Sequence, residues 1–314
     1  MAAPLYETPR DRAICCFVYR YDGIDVSLLW RRFWPHSVAQ KATYNRVSRL
    51  INHGYLVATR LPSLSGIGSG KFFLGLGPRG KTVVVAELGI ALGDVHRLRP
   101  PRSPMFYAHH LGVCAVRLQV EFAVAQSPWC SLLGWTSERS YRDNPLVSAG
   151  AAGRLVTIVP DGGCVLQIQA GGTPRYLHCV LEYDTGSENA AAAVRGKVGQ
   201  YLQLCSTAGF QHLVVLFVVP GMARLEVLHQ AAIDEAQRLG VDPGRIWLTT
   251  TDQLFASPEA AMALPIWQLV GADAPCSLAS FVRSSLSQGT LGHEPDPAET
   301  GTLFSQSPST DAGQ

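Results

Sequence analysis

The sequence predicts an α/β (α+β) protein in two parts, an N-terminal winged helix-turn-helix followed by a mixed sheet with flanking helices. Three observations predict it. Residues 1–105 carry fifteen Lys and Arg against six Asp and Glu, whereas residues 106–314 carry eleven against eighteen. A stretch rich in proline and arginine, residues 96–105, stands where the charge changes sign, and Pro100, Pro101 and Pro104 prevent a helix from running through it. Apolar periodicity gives helices and then a ribbon before that stretch, and strands interleaved with helices after it. The 314 residues leave room for about two domains, assigned to 10–95 and 106–283 with 96–105 as linker. From 284 to 314 the chain is rich in Ser, Gly, Thr and Pro, and the expectation is a disordered tail.

In the first part, Asp11 to Tyr21 places Ile14, Phe17 and Val18 at helical spacing, and Asp22-Gly23 breaks the helix. Asp25 caps a second helix that Pro35 ends after Trp34. Ser37 is the expected cap of a third helix running to Asn52, with Val47, Leu50 and Ile51 inward. Gly54 stops it. Tyr55 to Leu61 and Lys71 to Leu76 read as two strands around a glycine-rich loop, and a fourth helix opens near Pro78. Helix, helix, capped helix, strand, loop, strand is the order of a winged helix-turn-helix, whose third helix fits a DNA major groove and whose ribbon lies along phosphates. Gln40, Lys41, Tyr44, Asn45, Arg46 and Arg49 on the third helix, Arg60 and Lys71 flanking the loop, and Arg79 on the fourth helix are the candidate DNA contacts. These residue types bond base edges and phosphates. The basic balance of this part agrees with a polyanionic partner. A winged helix used for protein contacts would show a similar polar face.

In the second part, Phe106 to Gln126 reads as a long amphipathic helix and Cys130 to Trp135 as a strand. Leu155 to Pro160 leads into Asp161-Gly162-Gly163, read as a turn, and on to a strand over Cys164 to Gln169. Tyr176 to Glu182 is a strand, and Glu188 to Ser206 is a helix capped by Thr185 or Ser187. His212 to Val219 is apolar throughout, as a buried strand is. Met222 to Leu239 is a helix, Arg245 to Thr250 a strand, and Asp252 to Ala256 a short helix. Asp161 lies at a strand turn, and Glu182 and Asp184 lie at the end of a later strand. Three carboxylates that converge repel one another unless protons or a cation neutralise them. Mg²⁺ prefers such oxygens and can activate water against a phosphodiester. Taken singly, Asp161 is an ordinary turn residue, and Glu182 and Asp184 are ordinary acids at a helix entry.

Other features carry less. Eight cysteines contain no C-x-x-C pair, so a zinc site of the usual spacing is not expected. Adjacent His109 and His110 point to different sides of a helix. The glycines at 66, 68 and 70 precede a strand rather than a helix, which excludes a dinucleotide loop. No apolar run approaches the roughly 18 residues of a membrane span, and Met1 to Asp11 lacks a signal-peptide layout, so the expectation is a soluble, cytoplasmic protein with no membrane partner.

The residues carry a resemblance. Pro160-Asp161 followed by Glu182, on an α-β-β-β-α-β core, resembles the PD-(D/E)xK nuclease superfamily, which implies a restriction-endonuclease-like fold. The whole layout resembles the replication-relaxation family of plasmids and other mobile elements. The matching segments are Gly54-Tyr55-Leu56, Phe73 to Gly80, His110-Leu111, Pro160-Asp161-Gly162, Leu181 to Glu188, Lys197-Val198 with Tyr201, and Trp247 to Thr250. The resemblance spans residues 10–270. It implies Asp161, Glu182 and Asp184 as metal ligands for Mg²⁺, with Lys197 as the lysine partner. The superfamily pattern places that lysine two residues after the second acid, where this chain has Asp184, and Lys197 stands on the following helix instead.

Three readings follow. One is a DNA-binding accessory protein of plasmid or mobile-element replication or relaxation, with an inactive or weakly active nuclease-like domain. Another is an active Mg²⁺-dependent DNA endonuclease or nickase. The third is a winged-helix transcription regulator with a partner-sensing C-terminal domain. The expected partner is double-stranded DNA, with a relaxase, a replication protein or a second copy of the chain as further candidates.

Overall fold

A computed structural model describes residues 5–37, 40–61, 72–95, 103–149, 155–170, 173–186, 190–207, 209–210 and 212–288. Lys71 and the ribbon loop before it, residues 96–102 of the expected linker, Ser187 and Glu188, and residues 289–314 of the expected tail lie outside this set. The described residues form an α/β protein with eleven α-helices and a six-stranded mixed sheet. The chain divides into two compact units, Met1–Ala115 and Val116–Gln314.

In the first unit, α1 (Pro9–Arg20) begins with a reciprocal cap. The Thr8 backbone N–H donates to Asp11 Oδ2 (2.8 Å), and the Asp11 N–H donates back to Thr8 Oγ1 (3.3 Å). The helix ends at Asp22 and Gly23, both in left-handed conformations. A Cβ at Gly23 would fall 2.0 Å from the Phe73 ring, so glycine is required there on both counts. Asp25 caps α2 (Val26–Phe33) by accepting from the Leu28 N–H at 2.9 Å.

The third helix, α3 (Lys41–Asn52), starts four residues after the expected cap at Ser37. Ser37 belongs to the turn closing α2: its N–H donates to the Trp34 carbonyl, and its own carbonyl accepts from the Trp30 indole at 3.2 Å. Strands β1 (Leu56–Arg60) and β2 (Phe72–Leu76) pair antiparallel, and Ile24 bridges to Leu74. Helix α4 (Pro78–Leu88) packs on α1. Ile14, Val18, Leu29, Leu50, Leu56, Leu74 and Val84 are buried core residues of this unit.

Helix α5 runs over Pro104–Ala125. After it come β3 (Cys130–Ser137), α6 (Glu138–Asp143), β4 (Leu146–Ala149), β5 (Leu155–Ile158), β6 (Gly162–Ala170), β7 (Thr173–Tyr183) and α7 (Ala190–Ser206). The chain continues through β8 (Leu213–Val219), α8 (Met222–Leu239), β9 (Ile246–Thr250), α9 (Thr251–Leu254), α10 (Ala260–Ala263), β10 (Gln268–Leu269) and α11 (Leu278–Gln288). The sheet order is β10-β9-β8-β7-β6-β3, with β7, β8 and β9 parallel and the other neighbours antiparallel. Val180, Val215, Phe217, Val219 and Leu248 of the sheet pack with Val198, Tyr201, Leu202, Leu225 and Leu228 of α7 and α8.

Two expectations change here. Asp161-Gly162-Gly163 is not a turn between paired strands. Strand β5 pairs with β4, while Gly162 opens β6 between β3 and β7. Glycine at 163 answers a packing demand, since a Cβ there would meet the Tyr141 hydroxyl at 2.3 Å and the Cys179 carbonyl at 2.9 Å. Order also continues past 284, because α11 reaches Gln288 with Leu278 and Val282 buried and Phe281 against Trp247 at a ring separation of 4.5 Å.

Candidate functional site

The acids lie at the carboxyl ends of the parallel strands, where ligands of open α/β sheets bind. Asp161 stands just before β6, with its N–H on the Leu181 carbonyl (3.1 Å) and its Oδ2 accepting from the Tyr183 N–H (2.8 Å). It thereby grips β7 on both sides of Glu182. The Glu182 side chain is 3% exposed and faces α7, where Lys197 and Tyr201 sit four residues apart on one helix face. The Tyr201 hydroxyl donates to Oε1, and the Lys197 ammonium pairs with Oε2.

Burial, and after it the charge of Asp161, push the Glu182 carboxyl up to about 8, against the pull of Lys197 and Tyr201. Lysine and the phenol both donate here, which is the arrangement of an ionised carboxylate. Burial and the Asp161 charge oppose that arrangement, whereas Lys197 and Tyr201 favour it. Burial, and next the Glu182 charge, raise the Tyr201 phenol well above its ordinary range. Burial thus favours the protonated forms of the Glu182 carboxyl and the Tyr201 phenol.

Asp184 turns elsewhere. Its N–H donates to the Val218 carbonyl, its Oδ1 accepts from the Gly186 N–H (2.7 Å), and its Oδ2 pairs with Arg224 Nε of α8 (2.5 Å). Both side chains are mostly buried. The structure therefore brings Lys197 to Glu182 and places Asp161 beside them, while Asp184 is held by Arg224. Among the described residues no group of three His, Cys, Asp or Glu is disposed to hold a metal. Glu182 has both oxygens occupied by protein donors, and so has Asp184. As arranged, Glu182 and Asp184 do not offer Mg²⁺ the open carboxylate oxygens it takes.

In the first unit, α3 buries Thr43, Val47 and Leu50. It exposes Lys41, Tyr44, Asn45, Ser48, Arg49 and Asn52, one continuous face at helical spacing. Gln40 is half-buried at its start. Arg46 is directed inward: Nε donates to Asp11 Oδ1 (2.6 Å), and Nη2 reaches Asp11 Oδ2 and the Tyr6 carbonyl (3.0 Å). Burial alone would raise the fully buried Asp11 carboxyl, but the Arg46 and Thr8 hydrogen bonds outweigh it and hold the group below its ordinary value. Arg60 is exposed opposite Phe72 on the ribbon, and Arg79 is exposed in the first turn of α4.

Sequence reasoning does not single out Arg224 or assign Tyr201 a role. The four-residue spacing from Lys197 is a signal for Tyr201. Arg224 lies forty residues from its partner and has none.

Among the described residues no helix is long and apolar enough to cross a membrane. A family model described as replication-relaxation matches residues 26–216, more than half of the chain. No curated protein and no solved structure matches it.

Proposed function

The chain belongs to the replication-relaxation family, and from that premise we propose that it is a DNA-binding accessory protein of plasmid or mobile-element replication or relaxation. The first unit is read as a winged helix-turn-helix that lays α3 in the major groove of double-stranded DNA. The observation that carries this reading is the exposed face of Lys41, Tyr44, Asn45, Ser48 and Arg49. Side chains at that spacing reach base edges and phosphates together. Arg60 of the ribbon, Arg79 of α4 and Lys71 would supply flanking phosphate contacts. Arg46 serves this face indirectly, by fixing α3 to α1 through Asp11.

The second unit is read as a restriction-endonuclease-like domain retained without cleavage. Its acids are engaged by Lys197, Tyr201 and Arg224 and lack the open oxygens a metal needs. A relaxase or replication protein and a second copy of the chain are the partners this role would call on. One observation favours a second reading, a Mg²⁺-dependent nickase: Lys197 does reach Glu182, as a lysine displaced onto the helix would have to.

Two assays on the full chain test these readings. Fluorescence anisotropy on labelled duplexes should show binding that Lys41→Ala with Arg49→Ala weakens, and equal binding by both proteins would remove α3 as the reader. Supercoiled plasmid incubated with Mg²⁺ should stay supercoiled, whereas nicking that Asp161→Ala abolishes would establish the second reading.

A further inference from the structure

We propose that Tyr6 is a further DNA contact: an N-terminal arm pinned against α3 carries its phenol to the sugar-phosphate strand bordering the groove, where the hydroxyl donates to a phosphate oxygen. The inference rests on reading the first unit as a DNA-binding winged helix-turn-helix, and it extends the contact surface beyond the helices and the ribbon.

Tyr6 is 85% exposed, more than any other large hydrophobic side chain among the described residues. On a loose chain end such exposure would mean little, but here the backbone is held. Arg46 Nη2 of α3 donates to the Tyr6 carbonyl at 3.0 Å. The adjacent Glu7 carboxylate accepts from the Tyr55 hydroxyl and lies 3.9 Å from Arg12 Nε. Thr8 then caps α1 through Asp11. Three consecutive residues are thus tied to α3, to the entry of β1 and to α1. On meeting a partner, the Tyr6 side chain has only its own two torsions left to order, a small entropic cost for a large contact.

The ties also set where the ring stands. Arg46 borders the exposed face of α3, and Arg49, three residues on, is its neighbour on the helix surface. The carbonyl that Arg46 grips therefore places the arm along the Arg49 edge of that face. Beyond the arm, the Arg79 guanidinium lies over the Tyr55 ring, 6.0 Å from its centre. A path of neighbours runs from Arg49 through Arg46, the arm and Tyr55 to Arg79, and Tyr6 is on it. A strand that meets both exposed arginines would pass the arm. The acids on this path do not stand bare against phosphates: Glu7 is met by Tyr55 and Arg12, and Asp11 is fully buried under Arg46. Tyrosine suits such a strand, because its O–H donates to a phosphate oxygen while its ring covers the sugar. The phenol is neutral, so this contact displaces no counter-ion. Unlike Lys41 and Arg49, Tyr6 should add affinity without steepening the salt dependence.

The test uses the full chain and labelled duplex DNA, read by fluorescence anisotropy over a series of salt concentrations. Tyr6→Phe removes only the donor and should weaken binding about threefold to tenfold, the range of one net hydrogen bond. The slope of log K against log salt should stay that of wild type. Its thermal midpoint should not move, because so exposed a ring contributes little to the fold. Nitration by tetranitromethane, read by mass spectrometry, gives a second measurement that needs no variant. Tyr6 should react in the free chain and be protected once duplex is added. Affinity of Tyr6→Phe equal to that of wild type would overturn the proposal, as would nitration of Tyr6 that duplex leaves unchanged. Should wild type bind duplex while those results fail, α3 stands as the reader without the arm. A wild-type chain that leaves duplex unbound removes the proposed function and this contact with it.

Discussion

Glu182→Gln tests the electrostatics of the site. The side chain keeps its shape and can still accept from Tyr201, but it cannot ionise. In the wild type, the carboxyl is held up to about 8 when folded, against an ordinary value of 4.5 when unfolded. Below 4.5 both states hold the proton, and the group's contribution to stability is fully present. Between 4.5 and about 8 the unfolded chain releases the proton while the folded chain keeps it, so stability falls as pH rises. The slope is at most about 1.4 kcal/mol per pH unit, which bounds the whole loss at about 5 kcal/mol. Above the upper limit the loss levels off. The glutamine variant lacks this slope. Urea unfolding of both proteins across the interval should give free energies that agree at its acid end and diverge toward its alkaline end, with the variant the more stable. Curves that stay parallel would refute the reasoning, because they would mean that Lys197 and Tyr201 keep the carboxylate ionised throughout.

Other perturbations test neighbouring contacts. Tyr201→Phe leaves Glu182 Oε1 without its buried donor and should cost about 1–3 kcal/mol in urea unfolding; an unchanged midpoint would show that the phenol contributes nothing. Arg46→Met strands the fully buried Asp11 carboxylate and should destabilise the first unit by about 3–5 kcal/mol, visible as an early thermal transition. Added to Arg46→Met, Asp11→Asn should recover part of that loss, and no recovery would mean that the charge is not its source. Gly163→Ala drives a methyl into the Tyr141 hydroxyl and the Cys179 carbonyl, for a cost of about 1–3 kcal/mol. Wild-type thermal stability in that variant would place the strands differently.

Legibility follows how local the cause is. Helix α8 is legible to both of its ends because Pro220-Gly221 opens it and Gly240, left-handed, closes it. Strand β8 is legible from its unbroken apolar run. The start of α3 is not: Ser37 has the chemistry of a cap, yet it sits in the turn after α2, with its N–H on the Trp34 carbonyl and its carbonyl on the Trp30 indole. Asp161-Gly162-Gly163 has turn composition, but the second glycine answers to Tyr141 of α6. Arg46 is partly legible. It stands three residues after Thr43 and four before Leu50, on the inward side of the helix, although its partner Asp11 cannot be named from spacing. Whether Lys197 reaches the acids depends on how α7 lies against β7, which no local pattern encodes. Short elements such as α6, β4 and α10 offer too few residues for a period to show.

The central claim is that the α3 face meets the phosphates and base edges of duplex DNA. The salt dependence of binding tests it most directly. For the full chain, log K should fall linearly with log salt. Lys41→Ala with Arg49→Ala should make that slope shallower by about two, near 0.9 for each phosphate no longer neutralised. A chain that leaves duplex DNA unbound at low ionic strength, or a slope untouched by the two substitutions, would contradict it.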